Sequence, residues 1–266
     1  MSNPTLGNPP LALTLAQVKF NTVPTMGSYS KKIQDDFRKQ LGFIHHDFEE
    51  TSTIKVSPQR TGIEKTTLWT SCAADYKTRL VMRDDFLVLE TIEYPGFENF
   101  IPNLDKALGI VQTITEITHI TRLGFRYINR IETTPEKRLE YYLNSQLLGF
   151  QFDNIEHENR VSRTEAIANS KEGLLRVHCM QFISDSDASK NPLLPPDLNT
   201  RLEVKPVITP NPEKYAFLDI DHFRDFDRNP INIDIPDTIN HLDRLHQVGY
   251  DTFISGTTEE ALQEWD

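Results

Sequence analysis

The chain is short of cysteine, of long apolar runs and of positive charge. Cys72 and Cys179 are its two cysteines in 266 residues, too few for the disulfide frameworks that staple small secreted domains. Both fall in apolar, strand-like segments, so buried free thiols in a reducing compartment are expected. No stretch approaches the ~20 apolar residues of a membrane helix. The opening Met1-Ser2-Asn3-Pro4 has neither the basic nor the apolar region of a secretory signal. A cytoplasmic protein without membrane contact is the expectation. Lys and Arg number 28 against 39 Asp and Glu, a formal net charge of −11, which repels phosphates and argues against a nucleic-acid partner. Also missing are a nucleophile elbow, a P-loop, a dinucleotide glycine fingerprint and the usual zinc spacings. No cofactor and no metal are therefore expected.

What is present is a repeat. Leu41-Gly42-Phe43 returns as Leu148-Gly149-Phe150, 107 positions on, and Val18-Lys19-Phe20 returns at the same offset as Phe125-Arg126-Tyr127. Cys72 lands on Cys179. A constant offset points to duplication. Each copy reads β-α-β-β-β-α. The predicted fold class is α+β: two tandem copies of this unit, with antiparallel sheets and helices on one face. A continuous sheet joined edge to edge is favoured over face-to-face packing, because it hides two edge strands.

The expected organisation is a disordered tail over 1–10, a first repeat over 11–118, a second over 119–256 and a terminal helix over 257–266. In the first copy, Leu11–Phe20 predicts a strand with one register change. Ser28–Leu41 predicts a helix capped by Ser28 or Ser30 and stopped by Gly42. Residues 78–94 read as a hairpin turning at Asp84-Asp85, and Ile101-Pro102-Asn103 opens a helix. In the second copy the helices are Pro135–Leu148 and one opened by Ile235-Pro236-Asp237. A terminal helix begins at Thr257 with Glu260 in capping-box position. The stretch 185–212 carries six prolines and reads as a long surface loop inserted in the second copy.

The densest segment is Thr121–Glu132. On a strand, Arg122, Arg126 and Arg130 share one face, opposite Leu123, Phe125, Tyr127, Asn129 and Ile131. Such a stripe can grip a carboxylate or phosphate, or pair with the chain's own acids. Asp219 and Asp221 point the same way along a later strand, between apolar neighbours, where ionised carboxylates need partners. With His222 they complete the candidate ligand or partner site. Asp219-x-Asp221-His222 is too sparse for a metal. His45 and His46 read as exposed turn residues. His178 and Cys179 face opposite sides of a strand and form no dyad. His246 reads as a helix-end histidine favoured by the dipole.

Arg122-Leu123-Gly124-Phe125-Arg126-Tyr127-Ile128-Asn129-Arg130-Ile131 resembles the hallmark of a family of uncharacterised prokaryotic proteins of about this length, found sporadically among genomes. Leu218-Asp219-Ile220-Asp221, Leu245-His246 and Val18-Lys19-Phe20 fit the same pattern in order. Phe125 stands where the pattern expects leucine. The resemblance implies no established activity. Scattered occurrence implies transfer between genomes, as with defence islands and toxin–antitoxin loci. The reading is therefore a non-catalytic, protein-binding or regulatory accessory protein, with a homo-oligomer left open. The alternative is a binder of small anionic ligands, or an enzyme, with a cleft between the repeats.

Overall fold

The computed structural model describes residues 6–57, 60–150, 161–185, 192–195, 202 and 213–266. Among the described residues, nine strands hydrogen-bond in one sheet in the order β2-β3-β4-β5-β1-β6-β9-β8-β7, and a short tenth, β10, pairs with β6. They are β1 (Leu11–Phe20), β2 (Phe43–Ser57), β3 (Arg60–Ala73), β4 (Thr78–Met82), β5 (Phe86–Thr91), β6 (His119–Glu132), β7 (Val161–Asn169), β8 (Leu174–Ile183), β9 (Lys214–Asp225) and β10 (Ile231–Asn232). Every described pairing is antiparallel. Among the described residues there are five helices: α1 (Met26–Leu41), α2 (Phe97–Thr115), α3 (Leu139–Tyr142), α4 (Ile235–Gly256) and α5 (Glu259–Trp265). The class is α+β, and none of the described helices is long and apolar enough to cross a membrane.

β1 and β6 pair at the centre, from Leu11–Asn129 to Phe20–Ile120. The main core crosses the boundary expected at residue 118. Ala16, Val18 and Phe20 of β1 pack with Leu104 and Leu108 of α2, but also with Leu123 and Phe125 of β6 and Leu242 and Leu245 of α4. On the first side β1 is followed outward by β5, β4, β3 and β2; on the second, β6 is followed by β9, β8 and β7. Cys72 thus lies three strands from β1 and Cys179 two strands from β6. Both are buried, and burial pushes the Cys179 thiol up to about 12.

The alternation in β1 has a different cause from the register change expected between Leu15 and Val18. The shifts fall at its ends, between Leu11 and Leu13 and between Lys19 and Phe20. Leu13 and Leu15 instead turn to the other face of the sheet. There a second apolar layer gathers Ile128, Met180, Tyr215 and Phe217. Leu194 and Leu202 of the proline-rich segment are buried in that layer. The described part of this insertion therefore anchors on the sheet; the remainder of the predicted loop lies outside the described residues.

Helix boundaries moved for local reasons. α1 starts at Met26 without a side-chain cap, because Ser28 and Ser30 donate backward to the Thr25 and Gly27 carbonyls. Its Gly42 stop has φ +75°, and Gly149, at the repeat's offset, has φ +76°; both backbones suit glycine. α2 starts one turn earlier than expected, so Pro102 sits inside it, whereas Pro236 of α4 keeps the first turn behind the Asp234 cap. The helix expected over 135–148 shrinks to α3 and a 3-10 turn at Ser145–Leu147. Tertiary bonds displace it: Leu143 bridges to Thr257, and the Asn144 backbone N–H donates to Gly256 O at 3.0 Å. α5 is capped by Thr258, which accepts from Ala261 N, one residue later than the capping box placed it. His45 and His46 lie on β2 rather than in a turn. The tail expected to be disordered is held at its described end: Asn8 N donates to Trp265 O at 2.8 Å, and Pro10 O accepts from Arg130 N at 2.7 Å.

Candidate functional site

The arginine stripe lies on the face of the sheet away from α2 and α4. Strand alternation puts Arg122, Arg126 and Arg130 of β6 there, while Phe125 and Tyr127 enter the helix-side core. β9 pairs alongside, with Arg126 opposite Asp221 and Ile128 opposite Asp219. Arg126 reaches diagonally to Asp219 with two parallel bonds, Nε to Oδ1 at 2.8 Å and Nη2 to Oδ2 at 2.5 Å. This is the fork geometry that fixes a guanidinium on a carboxylate. Arg122 bonds Asp225 at 3.2 Å, stands 3.9 Å from Asp221 and lies over the Phe223 ring at 3.7 Å. Arg130 turns to Glu132 on its own strand, Nη2 to Oε1 at 2.8 Å, and covers the Tyr215 ring at 4.9 Å.

The stripe and the two aspartates are thus brought together. Burial raises the Asp221 carboxyl above its ordinary value, opposed by Arg126 and then Arg122. His222 does not join them. It faces the helices, fully buried, with Nδ1 at 3.0 Å from Leu245 O and Nε2 at 2.8 Å from Ser170 Oγ. Burial lowers its pKa. His222 therefore lies on the face of β9 opposite Asp219 and Asp221. No group of three His, Cys, Asp or Glu able to hold a metal occurs among the described residues.

The cavity lies on the opposite face. It has a volume of about 510 Å³ and is lined by the start of α2, α4, β6 and residues 6–11. Tyr94, Tyr127 and His246 form a chain through it. The Tyr94 and Tyr127 hydroxyls are 3.3 Å apart, and Tyr127 Oη is in short contact with His246 Nδ1, the direction of that bond following the imidazole tautomer. His246 stacks on Phe97, with ring centroids 4.6 Å apart. It is buried in mid-helix, not at the helix end where the dipole argument placed it. Burial lowers its pKa to about 4 and raises the Tyr127 hydroxyl well above its usual value. Sequence reasoning read Tyr127 as one more apolar-face residue of β6 and passed over Tyr94. The available signal was the Leu245-His246 pair: a histidine inside an amphipathic helix, next to a core leucine.

A cleft gripping an anion needs the arginines and the cavity on one side of the sheet. The fold puts them on opposite sides, with Arg126 and Arg130 holding carboxylates of their own chain. A scan against protein-family models gives no match to this chain, and a search of curated proteins gives none.

Proposed function

We propose that this chain is a non-catalytic binding protein, a regulatory or accessory partner of another protein, docking through the outer edge of β2. The observation that carries the reading is the β2–β3 arm. The two strands pair from His45–Cys72 to Ser57–Arg60, whereas β4 reaches only Trp69 to Cys72 of β3. The ribbon runs on beyond the body of the sheet, and β2 is the terminal strand among the described residues. No strand lies beside its outer edge among the described residues, so the edge can take an added strand; the Phe48 backbone N–H donates to Asp47 Oδ1 at 2.8 Å. Ile44 and Phe48 on it are 49% and 61% exposed. Asp47, Glu49 and Glu50 on the same strand favour a partner segment carrying lysine or arginine. An accessory role in a mobile-element, phage-defence or toxin–antitoxin system fits the scattered family the chain resembles, as an association only.

Descent of the two halves from one duplicated unit belongs to the same proposal. Its support is the constant offset, the left-handed glycines Gly42 and Gly149, and the central β1–β6 pairing, in which β1 is flanked by β5 and β6 by β9, each a later strand of its own half.

The test is a photo-crosslinking amino acid placed at Phe48, with one at exposed Lys106 of α2 as control, in the full chain expressed in its native cells. The expected result is one discrete adduct at position 48, none at 106, and its loss when Asp47 and Glu49 become lysine in a chain of unchanged circular dichroism. Equal labelling at both positions, no adduct at 48, or an adduct of twice the chain's own mass contradicts the reading.

A further inference from the structure

The cavity beside α2 and α4 has a chemistry of its own, independent of the β2 edge. Its volume of about 510 Å³ suits a small molecule. Tyr94, Phe97, Tyr127 and Tyr250 supply aromatic surface, and Glu98 and Asp243 supply carboxylates. Neither lysine nor arginine occurs among the described residues that line it. The Tyr94 and Tyr127 rings pack edge to face, 82° with centroids 5.7 Å apart, and both line the cavity. The ionisable groups facing inward are Glu98 of α2, Asp243, His246 and Tyr250 of α4, Tyr127 of β6 and Tyr94 before α2. Burial keeps His246 uncharged at neutral pH and the Tyr94 and Tyr127 hydroxyls protonated. The fixed charge of the cavity is therefore negative, and its walls carry aromatic rings.

We propose that this cavity binds a small organic cation, an ammonium or quaternary amine seated against the tyrosines and neutralised by Asp243 and Glu98. Ring faces attract a cation through their quadrupole, most strongly where water is displaced. An anion meets two carboxylates and no guanidinium here. The alternation of β6 decides this: it sends Tyr127 to the cavity and Arg126 to the other face.

The experiment is isothermal titration calorimetry of the full chain with choline and with 3,3-dimethyl-1-butanol, its neutral isostere; acetate serves as the anion. The expected result is binding of choline at least about tenfold tighter than of the alcohol, and no binding of acetate. Asp243→Asn, at a half-exposed position, is expected to weaken choline about tenfold and leave the alcohol unchanged. Tyr94→Leu, which removes a ring, is expected to weaken choline with Asp243 in place. Equal affinity for choline and the alcohol, absence of choline binding, or tighter acetate binding overturns the proposal. None of these outcomes bears on crosslinking at Phe48.

Discussion

Replacing Glu132 with glutamine is expected to lower the unfolding free energy by about 3–5 kcal/mol. Arg130 and Glu132 bury their side chains to 4% and 3% exposure, 2.8 Å apart. Arg130 Nε and Nη1 have no hydrogen-bond partner among the described residues, and burial already lowers the guanidinium pKa. The Glu132 carboxylate is thus the main compensation for a cation held against the Tyr215 ring. Removing it leaves that cation desolvated, and the cost is that of an unpaired buried charge rather than of one hydrogen bond. The double replacement Arg130→Met with Glu132→Leu is expected to recover most of the loss, because a buried pair stands near break-even with apolar packing. Urea unfolding followed by circular dichroism, at unchanged m-value, measures both. A loss below about 1 kcal/mol in the single variant contradicts the assignment, as does an additive double variant.

Acidification is expected to remove about 3 kcal/mol of stability through His246 alone. In the folded chain its pKa is about 4, against an ordinary imidazole value of 6.5, with burial as the cause and Asp243 opposing it. Below pH 6.5 the unfolded chain takes up a proton that the folded chain refuses. Stability is therefore full above that pH and falls until the folded imidazole protonates near pH 4. The surroundings explain the refusal: Phe97 stacks on one side of the ring and the Tyr127 hydroxyl occupies Nδ1. Burial also lowers the His222 pKa, so wild type alone reports a sum. Comparison with His246→Gln, which keeps a hydrogen-bonding side chain, isolates the one group. The variant's stability should fall less steeply between pH 6.5 and 4; parallel curves contradict the account.

The residues that were legible in the sequence are those whose environment is set by strand alternation. The three arginines share a face, Asp219 and Asp221 share the adjoining one, and the hairpin turns at Asp84-Asp85, where Arg83 bonds Asp85 at 2.6 Å through both nitrogens. Cys179 and His178 face opposite sides for the same reason. The misread positions depend on partners distant in the chain. The amphipathic stretch 135–148 has the apolar spacing of a helix, yet the end of α4 draws Leu143 and Asn144 into pairing with residues more than a hundred positions away. Leu13 and Leu15 look like the core face of β1 until Leu194 and Leu202 supply a second core behind the sheet. His222 was grouped with Asp219 and Asp221 by proximity in sequence, although the parity of its position already set it on the opposite face. The dipole argument puts His246 near a helix end, whereas α4 runs on to Gly256; Gly249 within it sits where a Cβ would come 3.5 Å from the Tyr127 ring, an ordinary contact.

The most direct test of the central claim is amide hydrogen exchange on the chain with and without the partner captured at Phe48. The account predicts new protection confined to β2, residues 43–57, with the Arg122–Arg130 segment and α4 unchanged. Protection centred on β6 and β9, or none on β2, would contradict docking at that edge.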